Sequence, residues 1–560
     1  MTATHSFQDE VVYQIYPRSF QDSNSDGIGD LKGIQQRLPY LKKLGVDVLW
    51  LNPIYRSPDK DNGYDISDYE AIQPAYGDMT DFEALLNAVH DNGMKLLMDL
   101  VVNHTSDQHR WFQESKKSKD NAFADYYIWR DPVDGHEPNN WGSYFSGSAW
   151  TYVPARGQYY LHLFAPGQPD LNWENPEVRQ SVYSLMKFWL DKGANGFRMD
   201  VINLISKPAD LPDAPQAAGA EYGNVESLVA DGPKLNDYLQ EMNREVLSQY
   251  TDILTVGEMP GSTPEDATHY TNLDGSELNM VFQFQHVNLS PNPDARLGKW
   301  NDQPVKLPEL KQAFARWQVA LDGKGWNSLY WNNHDQPRTV SRFGNDNPQY
   351  RVISAKMLGT TLHMMQGTPY VYEGEEIGMT NVHYSTLDQY EDLESINAYQ
   401  ALVNDEKAVT PEKMLKYLSH ISRDNARTPM QWDDSTNAGF STVKPWFALN
   451  SNYPQINTKQ ALADQDSVFY YYQKLIALRH DSDLIKLGDF ELLDPDDGDV
   501  FAYKRHYNGQ TLLVISNFTA NEVSRDYGQE HADSLLIGNY PDDQARVLRP
   551  YESKVYQFNN

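Results

Sequence analysis

The 560-residue sequence contains no cysteine and no long apolar run. Without cysteine, the protein has no disulfide, no thiolate metal ligand and no cysteine nucleophile. No apolar run approaches the ~18 residues that a membrane-spanning helix requires. The N-terminal run MTATHSFQDE lacks the basic and apolar regions of a signal peptide. We therefore expect a cytoplasmic protein with no membrane partner.

Positive charge is also scarce. The chain has 47 Lys and Arg residues against 78 Asp and Glu residues, which gives a formal net charge of −31. This balance argues against nucleic acid and anionic membrane surfaces as partners, because both attract basic proteins. It leaves a neutral small molecule open as the ligand. The sequence does not define an oligomeric state, and a monomer is the favoured expectation.

Eight short apolar runs recur along the chain, separated by stretches long enough for helices. They are residues 11–17, 46–53, 95–102, 196–201, 253–259, 280–285, 327–331 and 368–372. The runs are continuous rather than alternating, which is typical of parallel strands buried on both faces. Eight strands that alternate with helices predict a (β/α)₈ TIM barrel, an α/β fold. The pattern alone leaves an open, doubly wound sheet as the alternative.

Two segments are too long to be plain loops, and the pattern changes again near the C-terminus. The predicted bounds are 1–103 and 174–480 for the barrel, 104–173 for a small domain inserted after strand three, 374–454 for an insertion after strand eight, and 481–560 for a C-terminal domain. The last segment has short strands, and Asn508-Gly509 between two of them is a hairpin signal. It is predicted to be an all-β domain, a β-sandwich.

Three acidic residues, Asp200, Glu258 and Asp335, follow predicted strands. The C-terminal ends of barrel strands meet on one face, where catalytic residues are placed. Arg198 lies two residues before Asp200, so both side chains share a face and the cation favours the ionised carboxylate. A single acid at a strand end often caps the next helix. Three of them on different strands favour paired-carboxylate chemistry such as glycoside hydrolysis.

Residues 22–30, DSNSDGIGD, place oxygen-bearing side chains at alternate positions. The run resembles the first nine positions of an EF-hand loop, but Gly33 stands where Glu is needed and a strand precedes it. On spacing alone, an Asx-rich surface turn and a cation-binding loop are equally good interpretations.

Four runs, in order, resemble the signature regions of the α-amylase superfamily. They are DLVVNH (99–104), GFRMDV (196–201), VGEM (256–259) and NNHDQPR (332–338). Three further runs resemble its oligo-1,6-glucosidase and dextran glucosidase branch: NGYDISDY (62–69), QPDLNWENP (168–176) and SRDNARTPMQW (422–432). The resemblance implies a retaining, exo-acting glycoside hydrolase without an organic cofactor. Its substrate would be an isomalto-oligosaccharide, cleaved at α-1,6 bonds through a covalent glucosyl-enzyme.

The resemblance also implies roles for individual residues. Asp200 is the expected nucleophile, Glu258 the acid/base, and Asp335 the group that stabilises the transition state. The expected glucose pocket consists of Tyr64, Asp65, His104, Phe164, Arg198, His334 and Arg427. In it, Asp65 and Arg427 would clamp the non-reducing end. Glu373 departs from the family, which commonly carries Gln there, and is expected to alter local hydrogen bonds.

For the loop of residues 22–30, the resemblance favours a structural calcium ion. The implied ligands are the side chains of Asp22, Asn24, Asp26 and Asp30 and the carbonyl oxygen of Ile28.

The sequence leaves alternatives open for the glycosidic bond that is cleaved and for the type of reaction. In the family, Val after the nucleophile goes with α-1,6 bonds and Thr with α-1,4 bonds. Here the residue is Val201, although Val is also common in buried strands. A maltase or a sucrose-acting relative is the alternative. Sucrose-isomerising relatives usually carry an Arg-Leu-Asp-Arg-Asp loop, and no such run lies between Gln285 and Trp326. A non-catalytic transporter subunit is remote, because such proteins carry a transmembrane helix and eroded catalytic residues.

Overall fold

A computed structural model describes residues 6–559, and its centre is a ring of eight parallel strands, β1 to β8. They span Val12–Ile15, Val48–Leu51, Lys95–Val101, Gly196–Asp200, Leu254–Glu258, Met280–Phe282, Ser328–Leu329 and Thr368–Tyr372. Consecutive strands pair, β1 pairs with β8, and a parallel bridge between Val281 and Asn327 links β6 to the start of β7. The predicted (β/α)₈ barrel is confirmed, and the open-sheet alternative is wrong. Residues 1–5 and 560 of the predicted domains lie outside the described residues.

The barrel strands are buried almost throughout. Apart from Lys95 at the start of β3, every residue of the eight strands is buried. This explains the continuous apolar runs in the sequence, since both faces of each strand are covered. Among the few buried polar residues of the strands, two carboxylates stand at strand ends, Asp200 at the end of β4 and Glu258 at the end of β5.

A helix of the outer layer follows each barrel strand. Helices α1 to α8 span Leu31–Leu44, Met79–Asp91, Pro176–Lys192, Leu235–Glu245, Pro264–Tyr270, Leu307–Leu321, Arg351–His363 and Val468–Asp481. Local sequence sets their ends. Asp30 caps α1 by accepting the Gly33 N–H, and Gly45 ends that helix at φ 98°. Asp78 and Asp81 form a capping box at the start of α2, which satisfies N–H groups that the helix leaves free.

Both predicted insertions contain structure of their own. The first holds an antiparallel sheet of Trp129–Arg130, Trp150–Val153 and Gln158–Leu161. The second holds the helices Leu393–Tyr399, Pro411–Ile421 and Asp424–Arg427 and the π-helical turn Gln400–Asp405, and the helix Thr458–Ala463 follows the insertion. Other short helices are Pro17–Phe20, Arg110–Ser115, Glu226–Val229, Thr339–Phe343 and Asp483–Leu487, and a two-stranded ribbon joins Tyr55–Arg56 to Asp68–Ile72. Single 3₁₀ turns lie at Ser6–Gln8, Ile202–Leu204, Leu247–Gln249, Ala295–Leu297, Glu375–Ile377, Leu387–Gln389, Thr436–Gly439 and Gln529–His531.

The C-terminal region is all-β from Glu491 to Asn559, apart from one short 3₁₀ turn, and the short helix Asp483–Leu487 precedes it. Its main sheet is antiparallel and consists of Glu491–Leu493, Val500–Tyr507, Gln510–Asn517, Ser534–Gly538 and Ser553–Asn559, and a ribbon pairs Val523–Ser524 with Val547–Leu548. The predicted hairpin turn is present, with positive φ at Asn508 and Gly509. One face of the main sheet shares a hydrophobic cluster with α7 and α8. The exact domain bounds stay predictions. Within residues 6–559, no helix is long and apolar enough to cross a membrane.

Candidate active site

A cavity of about 570 Å³ opens at the C-terminal ends of the barrel strands. The predicted residues in its wall are Tyr64, His104, Phe164, Asp200, Val201, Glu258 and Asp335. Asp200 ends β4 and Glu258 ends β5, so pairing of these neighbouring strands brings the two carboxylates together. The two insertions complete the wall, since Phe164 comes from the first and Arg423 from the second.

Arg198 is fully buried beside the cavity and is shared by three carboxylates. One guanidinium nitrogen lies 2.8 Å from Asp99 and 2.7 Å from Asp200, and the other lies 2.7 Å from Glu258. Asp200 uses Oδ1 for its contact. No hydrogen bond to its Oδ2 occurs among residues 6–559, so this second oxygen is available to a substrate atom.

Burial and the shared cation set the protonation of these carboxylates. Burial raises the pKa of Glu258 to about 8, with Arg198 opposing the rise and the charges of Asp200 and Asp335 adding to it. Burial also raises the pKa of Asp200, and Arg198 again opposes it. A carboxyl group with a pKa near 8 holds its proton at neutral pH, as a general acid must. The pKa of Asp200 rises to about 7, below that of Glu258, so Asp200 is the first of the two to ionise, as a nucleophile requires.

A second group of charges contains two arginines. Arg427 lies 2.7 Å from Asp335 and 2.5 Å from the buried Asp392. Arg423 lies 3.2 Å from Asp335, 2.9 Å from Asp392 and 3.4 Å from Asp61. Burial opposes ionisation of Asp335, but His334 and the two guanidinium groups outweigh it and hold the pKa of Asp335 well below its usual range. Asp335 is therefore an anion in the cavity wall.

Of the predicted clamp, Arg427 contacts the cavity-wall residue Asp335, whereas Asp65 does not line the cavity. Asp65 is fully buried, and its carboxylate accepts hydrogen bonds from the Ser57 hydroxyl and from the N–H groups of Lys60 and Asp61. That carboxylate stabilises its own loop and does not reach the cavity. The residues that line the cavity are Asp61, four positions earlier, and Arg423, four positions before Arg427.

His334 is held by stacking and by one hydrogen bond. Its ring stacks on Tyr64, with centroids 5.2 Å apart, and on Tyr16, with centroids 6.2 Å apart. Gln14 donates its amide N–H to His334 Nδ1 at 2.9 Å, which places the ring proton on Nε2, 3.3 Å from Asp335. Burial lowers the pKa of His334 well below its usual value, so the ring is neutral and donates from Nε2.

His104 connects the cavity wall to the first insertion. Its Nε2 lies 3.2 Å from the side-chain amide of Gln168, and burial lowers its pKa to about 4. Behind it, the buried ammonium of Lys207 lies 2.7 Å from Asp170 and donates to Asn103 at 2.7 Å. This buried ion pair ties the loop after β4 to the insertion and supports His104 from behind.

Val201 has an unusual backbone conformation. Its φ of 35° and ψ of 41° lie in the left-handed region, which a β-branched residue rarely adopts. Its N–H donates to Glu258 Oε2 at 3.1 Å, and its side chain lines the cavity. The strained residue thus contacts the acid/base candidate directly, a pattern found where a site requires exact placement.

Sequence reasoning missed most of the outer wall of the cavity. Phe145, Phe284 and Val287 form an apolar side, and Lys299 and Glu394 form an ion pair of 2.6 Å at the same cavity. An apolar surface with polar groups beside it suits a sugar ring and its hydroxyls. Phe145, Phe284, Val287 and Lys299 lie in irregular segments without a motif, and Glu394 lies at the start of the short helix Leu393–Tyr399. Asp61 and Arg423 were detectable, because Asp61 directly precedes the run at 62–69 and Arg423 lies within the run at 422–432.

Glu373 lies behind the cavity, immediately after β8. It is fully buried, and one carboxylate oxygen accepts the Tyr16 N–H at 2.7 Å. Its other oxygen has no hydrogen-bond partner among the described residues. Burial raises the pKa of Glu373 well above its usual value, so the group is a neutral acid. A neutral carboxyl resembles the amide that the family commonly carries here.

The loop of residues 22–30 is closed by its own hydrogen bonds. Asp22 accepts the N–H groups of Asn24, Ser25 and Gly27, and Asp26 accepts that of Ile28. Asp30 accepts the Gly33 N–H at the start of α1. Within residues 6–559, no group of three or more His, Asp or Glu side chains is arranged to hold a metal ion.

Known proteins match this chain over nearly its whole length. The family model for the alpha-amylase catalytic domain matches residues 14–488. The oligo-1,6-glucosidase of Parageobacillus thermoglucosidasius is 55% identical over 98% of each chain. The trehalose-6-phosphate hydrolase of Bacillus subtilis (strain 168) is 49% identical over 98% of this chain and 97% of that one. The structure of an isomaltulose synthase mutant from Erwinia rhapontici NX5, in complex with sucrose, aligns with a TM-score of 0.95 at 41% identity over 100% of each chain.

The relatives carry different reaction names but share one barrel, and the match covers most of this chain. The eight-stranded ring, the carboxylates at the ends of β4 and β5 and the family match agree. This protein belongs to the alpha-amylase family and is a glycoside hydrolase.

Proposed function

We propose that the enzyme is a retaining, exo-acting α-glucosidase that hydrolyses α-1,6 bonds at the non-reducing end of isomalto-oligosaccharides. The observation that carries the proposal is the sharing of Arg198 by Asp200 and Glu258 in the cavity wall. It supports a pair in which one carboxylate is ionised and the other protonated, as a double displacement requires.

In the first step, Asp200 attacks the anomeric carbon while Glu258 gives its proton to the glycosidic oxygen. The carbon–oxygen bond to the leaving sugar breaks, and a glucosyl ester forms on Asp200. In the second step, Glu258 takes a proton from water, the water oxygen bonds to the anomeric carbon, and the ester breaks. Asp335 would stabilise the positive charge that develops on the ring, because it stays ionised beside Arg423 and Arg427.

The ion pairs that Arg423 forms with three carboxylates support exo-action. Asp61, Asp335 and Asp392 all contact this guanidinium, so the side chains are linked across the cavity wall. A wall of linked side chains leaves room for a terminal glucose and blocks a chain that continues past it. Hydroxyls of that glucose would bond to Asp61, His104 and Asp335.

The α-1,6 preference is supported by Val201 and by relatives such as the oligo-1,6-glucosidase of Parageobacillus thermoglucosidasius. A phosphorylated disaccharide, the substrate named for the Bacillus subtilis relative, fits less well. The cavity wall has six carboxylates, Asp61, Asp200, Glu226, Glu258, Asp335 and Glu394, against three cations, Lys299, Arg342 and Arg423. A surplus of negative charge favours a neutral substrate.

The test is a substrate panel of isomaltose, isomaltotriose, dextran, maltose, sucrose and trehalose 6-phosphate. We expect the highest kcat/KM on a short isomalto-oligosaccharide, with glucose as product. Proton NMR during early turnover should show α-glucose first. Preference for maltose would overturn the linkage, β-glucose would overturn the retaining mechanism, and isomaltulose or trehalulose from sucrose would indicate an isomerase.

We also propose that Ca²⁺ binds the loop of residues 22–30 through Asp22, Asn24, Asp26, Asp30 and the Ile28 carbonyl. Carboxylate, amide and carbonyl oxygens are the donors that Ca²⁺ prefers, which supports the fit. The role would be structural, because no catalytic candidate belongs to this loop. Chelation should lower the melting temperature more than the rate at moderate temperature. An unchanged melting temperature, with no metal in elemental analysis, would overturn this proposal.

A further inference from the structure

A second cavity lies far along the chain from the catalytic residues, between the barrel and the C-terminal region. It measures about 320 Å³, and its wall comes from three elements: α7, the start of α8 and the segment after strand Ser534–Gly538. The wall residues that bear on its chemistry are Lys356, Lys474, Ser467, Asp466 and Asn539. Nothing in the proposed glucosidase reaction uses them.

Lys356 of α7 has a buried charge without a direct partner. Its side chain belongs to a residue only 8% exposed, and its ammonium makes no hydrogen bond or ion pair with any residue in the range 6–559. The ammonium lies 5.5 Å from the ring centroid of Tyr471. Burial lowers the pKa of Lys356, while the negative charges of the exposed Asp466 and Asp464 oppose that change. A buried cation in an open cavity is stabilised when an anion binds beside it.

The start of α8 supplies a second, independent feature. Ser467 is the N-cap residue of this 14-residue helix, but its side chain makes no capping hydrogen bond. Its hydroxyl oxygen is buried and has no hydrogen-bond partner among the described residues. The first N–H groups of a helix have no intrahelical acceptor and carry a partial positive charge. At this cavity, the Ser467 hydroxyl and the first N–H groups of α8 are therefore hydrogen-bond donors without an acceptor among the described residues.

We propose that this cavity binds a phosphate dianion, either free or as a monoester. Lys356 and Lys474 supply charge, and the Ser467 hydroxyl and the first turn of α8 supply hydrogen-bond donors. Several donors from different directions suit a multidentate oxyanion better than chloride. The single carboxylate in the wall, Asp466, acts against an anion and lowers the affinity. Because the wall joins α7, α8 and the C-terminal region, bound phosphate should stabilise the attachment of that region to the barrel.

Two variants with opposite expected effects on phosphate affinity test the site, and inorganic phosphate is the probe. Binding is measured on the full-length enzyme by isothermal titration calorimetry at constant ionic strength, with sodium chloride as the balancing salt. Lys356→Gln should weaken phosphate binding about tenfold or more, because it removes the buried charge. Asp466→Asn should tighten binding about threefold, because it removes the opposing carboxylate. Lys324→Gln, at an exposed lysine, changes the charge equally and should leave affinity unchanged.

Thermal unfolding with and without phosphate gives the second readout. Wild type should gain stability that saturates with phosphate, and Lys356→Gln should lose the saturable part. Glucose release should be unchanged in all three variants, which shows that they are folded and separates this test from that of the proposed function. Glucose 6-phosphate, added in parallel, shows whether a monoester enters. Absence of saturable binding, or equal affinity in wild type and Lys356→Gln, would overturn the proposal.

Discussion

Two groups of buried charges meet in the active-site wall, and their proportions of cation to carboxylate differ. Around Arg198, one guanidinium contacts three carboxylates, Asp99, Asp200 and Glu258. Around Arg423 and Arg427, two guanidinium groups contact Asp61, Asp335 and Asp392. Asp335 is also more exposed than Asp200 and Glu258, with 25% of its side chain accessible against 10% for Asp200 and 5% for Glu258, so burial and the ratio of charges both separate the two groups.

With a single cation, burial dominates, and the pKa of Glu258 rises to about 8. With two cations, the pKa of Asp335 falls well below its usual range despite burial. The Arg198 group can therefore exchange a proton during a reaction cycle, whereas Asp335 keeps a fixed charge. Within the second group Asp61 differs from Asp335, because burial raises the pKa of Asp61 to about 7. We infer that the Arg198 group performs the proton transfer and covalent chemistry, while the Arg423 and Arg427 group binds and stabilises the sugar.

Asp200→Asn should have the largest effect. The amide is nearly isosteric and can still contact Arg198, but it cannot form the glucosyl ester. We expect a loss of turnover of roughly 10⁴-fold or more with the fold intact. The measurement is glucose release from isomaltose, with circular dichroism as the check on folding. Near-normal release by the folded variant would remove Asp200 as the nucleophile.

Glu258→Gln should be next, and its loss should depend on the leaving group. Isomaltose turnover should fall by about 10²–10⁴-fold, because the glycosidic oxygen needs the proton. The first step with an activated aryl glucoside should be affected much less. Equal losses on both substrates in a burst assay would contradict the assignment.

The pH dependence of kcat/KM tests whether Glu258 donates the proton in this step. Because Glu258 must be protonated in the free enzyme, wild-type kcat/KM should be high below its pKa and fall as pH rises through about 8. Asp200 must be ionised, so activity should also fall on the acidic side. The alkaline fall should disappear in Glu258→Gln, measured on the aryl glucoside.

Arg423→Lys should separate the two charge groups. Lysine keeps the charge but cannot contact Asp61, Asp335 and Asp392 with a planar fork. We expect kcat/KM on isomaltose to fall about 10–100-fold, mainly through KM, because glucose binding is weakened. The alkaline limb of the pH profile should stay where it is. A shift of that limb would show that the Arg423 group also controls the proton on Glu258.

Most of the barrel was predictable from sequence, because burial on both faces leaves a continuous apolar run at each strand. Every predicted strand is present, with ends shifted by at most three residues. The candidate catalytic carboxylates Asp200 and Glu258 were located because they end such strands. The direction of the Asp65 side chain was not predictable for the opposite reason, since loop side chains follow no period. The Asp65 carboxylate bonds within its own loop, whereas Asp61 lines the cavity. Neither the alternation of a strand nor the spacing of a helix predicts these side-chain directions.

Val201→Thr should have a smaller effect, on specificity rather than rate. Thr keeps the β-branch and so meets the same left-handed strain, while a hydroxyl replaces a methyl group beside the cavity. One hydrogen bond gained or lost is worth about 0.5–1.5 kcal/mol, so a shift toward maltose on the order of tenfold is expected. The measurement is the ratio of kcat/KM on isomaltose to that on maltose. If the ratio stays level or rises, Val201 is a core residue and the linkage proposal loses its main support.

Glu373→Gln should have the smallest effect on turnover, and it tests whether a buried carboxyl behind the cavity behaves as an amide. Glu373 accepts the Tyr16 N–H, and Tyr16 stacks on His334, so the variant must keep that bond for the wall to stay in place. A Gln side-chain oxygen can accept the same N–H. We therefore expect kcat and KM on isomaltose within about twofold of wild type, because no charge is lost from a group that is already neutral.

The difference in melting temperature between Glu373→Gln and wild type should depend on pH. The folded pKa of Glu373 is raised above its unfolded value, so the unfolded chain releases a proton that the folded chain keeps. Wild-type stability from this group is complete below the unfolded pKa and falls as pH rises toward the folded one, by up to about 1.4 kcal/mol per pH unit. Glu373→Gln lacks this loss. Its melting temperature relative to wild type should therefore rise between pH 5 and pH 8. A difference that stays constant over this range would show that Glu373 is ionised in the folded protein, and its resemblance to the family's amide would fail.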